Sequence, residues 1–192
     1  MTPQRMAGLL LNLALRVMIV YFLWEVWMFQ DDPRFAGKAI PLRNLIIVGG
    51  CSLLFPILHF GWWKKRGHRF PFWQDSLYLS VFWLDMAGNS LNLYDSYYYF
   101  DLLPHFHGTG AVAVVLMAAF RLSFLCAAAV SNLIHMGLEV QEYYTDVLAG
   151  THNVRGISDT VNDLAVGMLG ALLYTTLVVV IRRTARREAA ER

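Results

Sequence analysis

Uninterrupted apolar runs constrain this chain more than any other feature. About six of them approach 20 residues, the length of helix that spans the hydrocarbon core of a bilayer. The chain has 192 residues, of which 57% are hydrophobic and only 16% charged, and its mean hydropathy is positive. Little sequence is left for a separate soluble domain. In lipid every backbone N–H and C=O must be satisfied internally, so runs of this length form helices. The expected architecture is an all-α, polytopic membrane helical bundle. Residues 1–192 form a single transmembrane domain with a short basic tail from about residue 182.

The first run, residues 4–29, is too long for a signal peptide, is interrupted by Arg16 and has no small-residue cleavage site after it, so it reads as a retained helix. It stops at Gln30-Asp31-Asp32-Pro33. Helices are then predicted over residues 42–63, 72–92, 102–120, 122–144 and from 158 to about 182. With the N-terminus inside, the inner loops and tail hold Arg5, Lys64, Lys65, Arg66, Arg69, Arg121, Arg182, Arg183, Arg186, Arg187 and Arg192. The outer side holds Arg34, Lys38, Arg43 and Arg155, so the bias of Lys and Arg predicts both termini in the cytoplasm. Trp24, Trp27 and the tyrosine-rich loop at 94–99 suit an aqueous boundary. Cys51 and Cys126 sit inside apolar runs, which indicates neither a disulfide framework nor a thiolate metal site.

Ionisable residues crowd into one stretch, His135–Gly170, with His135, Glu139, Glu142, Asp146, His152, Asp159 and Asp163 in it. Such groups are costly inside a bilayer and mark functional sites by default. Counting the neighbouring segments, four helix ends on the predicted outer side carry polar pairs: Asn89 and Asn92, Asp101 and His105, Glu139 and Glu142, Asp159 and Asp163. Spacings of three or four residues put each pair on one helical face. A shared cavity open to the outer surface accounts for all four.

That many carboxylates in low dielectric need a compensating cation, shared protons, or counter-ions such as Arg155 or Arg16. A divalent metal held by His105, Glu139, Glu142, Asp159 and Asp163, with Asp101, Asn89 and Asn92 in support, follows the logic of carboxylate sites in helical bundles, although their E-x-x-H spacing is absent. Oxygen-rich ligands with one histidine suit magnesium, manganese, calcium or iron. Local roles compete with this reading. Asp101 and Ser158 are placed as helix N-caps, and Asp159 sits at the positive end of a helix dipole. Asp146 and His152 read as loop residues, Asp75 and His68 as surface groups, and His59 as packing at depth. Gly108, Gly110, Gly167 and Gly170 read as close-packing positions.

Asp101-Leu-Leu-Pro-His105-Phe-His-Gly108, Glu139-Val-Gln-Glu142, Gly150-Thr-His and Gly156-Ile-Ser-Asp159-Thr160-Val-Asn-Asp163-Leu resemble the YjdF-like family of small bacterial membrane proteins. The resemblance covers the C-terminal half. It implies a bacterial membrane setting and supports the polar site without naming a chemistry. Three functions are compatible with the residues. The first is a metal-dependent enzyme acting on a lipid or lipid-linked substrate, and the second an ion-binding or transport protein. The third is a non-catalytic accessory subunit with partner membrane subunits. Membrane lipids are the expected partners in all three, and nothing points to nucleic acid.

Overall fold

Helices account for nearly all of the computed structural model, which describes residues 2–191 and contains no strand among them. Pro3–Met28 forms α1, Ile40–Arg66 a composite segment α2, and Phe72–Ser90 α3. Leu102–Ala119 forms α4, Phe124–Ala149 α5 and Ile157–Ala190 α6. Five of these, all but α3, are long and apolar enough to cross a membrane. The sixth expected span is present as a 19-residue helix. Its Gln74, Asp75, Asp85 and Asn89 make it too polar to count with the others. The surface fits a lipid setting. Leu10, Val17, Leu133, Val140, Leu169 and Leu173 are exposed, while Asn12, Asp75, Ser131, Glu139 and Asp163 are buried. Water would favour the reverse.

The contacts divide the chain into two compact units. The first runs to Phe100 and takes in Gly150–His152; the second comprises Asp101–Ala149 and the chain from Asn153 on.

In the first unit Leu15, Ile19 and Phe22 of α1 pack with Ile47 of α2 and with Leu79, Met86 and Ala87 of α3. The predicted continuous helix over 42–63 is broken. Regular helix ends at Gly49, a 3-10 turn covers Cys51–Leu53, and a widened π-turn covers His59–Trp63. Gly49 and Gly50 weaken the helix, and Pro56 has no N–H to offer the carbonyl of Ser52 one turn earlier. Arg16 takes that freed carbonyl, with Nη1 donating to it at 2.6 Å. The same guanidinium donates to Asp75 Oδ2 at 2.5 Å, and Asn12 Nδ2 donates to that oxygen at 2.9 Å. Asp75 is therefore fully buried, not a surface group; only its partner on α1 reveals this. His59 is buried at depth as expected, between the rings of Phe60 and Phe70.

The polar stripe of α3 is also committed within this unit. Asp85 pairs with Arg43 and accepts from the Tyr94 hydroxyl at 2.9 Å, and Asn89 Nδ2 donates to the Asp85 carbonyl at 3.0 Å. Asn92 does not share that helical face, because α3 ends at Ser90 and Asn92 takes a left-handed conformation (φ 55°), which asparagine tolerates. Beside it, Glu25 accepts from Ser90 Oγ at 2.5 Å and pairs with Arg34 at 3.2 Å. In the loop between α1 and α2, hydrogen bonds from Arg34 hold the Asp32 carboxyl below the usual carboxylate range.

In the second unit residues 120–123 turn the chain between α4 and α5, and α6 returns beside α4. Small residues set the spacing: Ala113, Ala128 and Ala171 form the core, and Gly110 and Gly170 let α4 and α6 touch. A Cβ on Gly170 would overlap the backbone of Phe106. Helix α5 runs to Ala149, past the predicted end at 144, so Asp146 is a helix residue. It accepts from the backbone N–H groups of Asn153 and Val154 at 2.9 and 2.8 Å and so ties down the connection that follows. Helix α6 continues through Arg182, Arg183, Arg186 and Arg187 to Ala190, which makes the basic tail helical; Arg192 lies outside the described residues. At 1.5 Å per residue such a helix is about 50 Å long against a hydrocarbon core of about 30 Å, so one end projects into water.

Candidate metal centre

Four helical positions in the second unit bring ionisable side chains together. His105 lies one turn into α4, with Asp101 just ahead of the helix; His135 and Glu139 lie one turn apart on α5, and Asp163 lies in the second turn of α6. Thr109 caps the His105 carbonyl (2.9 Å), and Ser131 Oγ donates to the Thr109 carbonyl (2.6 Å), which locks α5 against α4. Gly167 supplies the room for the His135 ring. A Cβ there would overlap Nδ1 and Cε1 of that ring and approach Thr109 Oγ1 to 2.9 Å.

His105 is the hub. Its Nδ1 lies 2.7 Å from His135 Nε2 and 3.4 Å from Glu139 Oε1, and His135 Nε2 lies 3.3 Å from the same carboxylate oxygen. Ligand atoms bonded to one metal at about 2.0–2.2 Å sit about 3.0–3.6 Å apart; the two distances to the carboxylate fall in that range, while the two ring nitrogens are at hydrogen-bonding distance from each other. On the far edge of the ring, His105 Nε2 lies 3.3 Å from Asp101 Oδ1 and 3.9 Å from Asp163 Oδ1. His135, Glu139 and Asp163 are at most 5% exposed. Among the described residues Glu139 Oε1, Asp163 Oδ1 and His135 Nδ1 have no hydrogen-bond partner, although both carboxylate oxygens face histidine nitrogens at 3.3–3.9 Å. Burying polar groups without a hydrogen bond is costly. Two overlapping ligand-spaced groups result, His105–His135–Glu139 and Asp101–His105–Asp163.

Of the predicted ligands, His105, Glu139 and Asp163 come together, and Asp101 joins them. Asp101 does not cap α4: its side chain makes no cap hydrogen bond, and its Oδ1 faces His105 instead. Glu142 and Asp159 fall outside both ligand-spaced groups among the described residues. Glu142 is half-buried on α5, and Asp159 accepts from the Arg155 N–H at 3.0 Å across the start of α6. Ser158 lies inside α6, whose N-cap is Gly156. Asn89 and Asn92 belong to the first unit, with the environments given above. Arg16 is committed to Asp75, also in that unit.

His135 belongs to the first of the two ligand-spaced groups and is not among the ligands expected from sequence. Its signal was the four-residue spacing to Glu139, H-x-x-x-E, which stacks the two on one helical face. Its inclusion changes the donor set to two imidazoles and a carboxylate, an arrangement typical of borderline transition ions more than of calcium or magnesium.

No family model, curated protein or solved structure matches this chain.

Proposed function

We propose that the second unit is a divalent-metal centre built on His105, His135 and Glu139, and that it serves a membrane enzyme acting on a lipid or lipid-linked substrate. One observation carries the metal reading. Three ligand atoms from two helices lie 2.7–3.4 Å from one another, with a buried carboxylate oxygen among them that has no hydrogen-bond partner. A cation is the group that such a set lacks. The donor types favour manganese, iron or zinc. A bound ion would polarise a phosphoryl or carbonyl oxygen and lower the pKa of water.

Depth supports the lipid part. His105 is about 5 Å along the axis from the start of α4 and Asp163 about 9 Å from the start of α6, at 1.5 Å per residue. For helices that start at the bilayer surface, that is the level of headgroups and upper acyl chains. The distribution of Lys and Arg supports a cytoplasmic location for both chain ends in a bacterial inner membrane, with the centre toward the outer leaflet. Kinship with the YjdF-like family belongs to the same proposal.

Elemental analysis of tag-free protein purified in detergent, beside Glu139→Ala and His135→Ala, tests the metal reading. Wild type is expected to carry a transition ion, and both variants to lose it while eluting as folded, monodisperse protein. A wild type that stays metal-free after loading would refute the metal centre. Its stoichiometric co-purification with other membrane proteins would put the accessory-subunit function in its place.

A further inference from the structure

The centre proposed above uses only one edge of His105. The other edge has a ligand set of its own. Nε2 faces Asp101 Oδ1 at 3.3 Å and Asp163 Oδ1 at 3.9 Å, and each of the three residues offers a ligand atom within 4.8 Å of the others. Asp163 is 3% exposed, and this oxygen has no hydrogen-bond partner. A carboxylate that merely orients a metal-bound histidine accepts its remaining N–H in a charge-assisted bond of about 2.7–2.9 Å. Both oxygens stand farther off than that, at distances that leave space for an ion between them and the ring.

We propose that His105 bridges two cation positions, Nδ1 serving the ion held with His135 and Glu139, and Nε2 serving a second divalent transition ion held by Asp101 and Asp163. This rests on the metal reading of the same centre. Charge supports it independently of distance. Asp101, Glu139 and Asp163 bring three negative charges, and among the described residues their ion partners are the two histidines. One divalent ion leaves a net negative charge in a buried site. A second ion, with the bridging imidazole giving its ring proton to solvent, brings the sum to zero. Metal binding that displaces ligand protons in this way is general. The helices divide the work: α5 supplies ligands to the first position only and α6 to the second only, while α4 carries the shared ring.

The test is zinc stoichiometry. Tag-free protein in detergent is stripped with chelator, reloaded with excess zinc, desalted and analysed for zinc per chain. Wild type is expected to retain two equivalents, Asp163→Asn one, and His105→Ala none. Asp101→Asn, at a half-buried position that tolerates change more easily, is expected to halve the zinc as well and replaces Asp163→Asn if that variant does not fold. Glu139→Gln is expected to keep one equivalent, in the second position. One equivalent in wild type, unchanged in Asp163→Asn and Asp101→Asn and lost in Glu139→Gln, overturns the second position and leaves the first standing. No retained zinc in wild type overturns the centre as a whole.

Discussion

Replacing Gly167 with alanine separates what holds the helices together from what holds the ligands in place. A Cβ at this position would overlap Nδ1 and Cε1 of His135 and press on Thr109 Oγ1 at 2.9 Å. The ring cannot retreat freely: it is 5% exposed and lies against the His105 ring, with centroids 4.9 Å apart. Overpacking of this kind costs about 1–3 kcal/mol. Alanine recovers about 1 kcal/mol of helix propensity. The net loss of stability in chelator is then about 0–2 kcal/mol, too small by itself to decide anything. Metal affinity is the sharper readout. Disturbing the groups that support a metal ligand weakens binding about 10–100-fold, and at the proposed centre His135 itself would be displaced.

Two other glycines calibrate the measurement. At Gly170 the added carbon would meet backbone atoms of Phe106, which cannot rotate away, so α4 and α6 must part. Gly170→Ala is expected to lose about 2 kcal/mol, the upper end of the overpacking range less the helix propensity gained, with or without metal. At Gly137 a Cβ meets nothing within 4 Å, so Gly137→Ala is expected to gain up to about 1 kcal/mol and to bind metal as wild type does. Thermal unfolding in chelator and calorimetric titration with zinc, both in detergent, give the two quantities. Wild-type zinc affinity in Gly167→Ala would refute the packing argument for His135. Equal losses in Gly137→Ala and Gly167→Ala would show that glycine flexibility, not space, is at stake.

Three further outcomes follow from buried charge and from topology. Glu139→Gln is expected to raise thermal stability in chelator and lower it in divalent cation, because a buried carboxylate is costly without its cation; equal losses in both conditions would show a structural network instead. Arg16→Met is expected to cost about 3–5 kcal/mol by stranding Asp75, and adding Asp75→Asn to it is expected to recover much of that loss, with additive losses in unfolding experiments counting against the pair. A reporter fused after Arg192 is expected to be active only in its cytoplasmic form, and a periplasmic signal there would overturn the orientation.

The spans were legible because a long apolar run has few other fates, and the failures fall where a partner distant in sequence decides. Asp75 looks like a surface residue until Arg16, itself drawn to the carbonyl that Pro56 leaves free, is placed beside it. Even the break in α2 was written locally, in Gly49-Gly50 and Pro56, but hydropathy ignores both signals. The choice of ligands was ambiguous for a different reason, which is axial. At about 100° per residue, His135 and Glu142, seven residues apart, lie within about 20° of one another on α5, so both share a face with Glu139. At 1.5 Å per residue they stand about 10 Å apart along the axis, and a single compact site cannot reach both. Choosing between them required knowing at which level α5 meets the polar residues of α4 and α6. Gly167 bears on that, since a Cβ there would overlap the ring of His135. Asp101 was ambiguous in the same way: a carboxylate just ahead of a helix suits the free N–H groups of the first turn, and only the position of His105 one turn later draws it elsewhere. Where polar residues cluster near the ends of apolar helices, the small residues on the facing helix therefore carry the information that the spacing of the acids lacks.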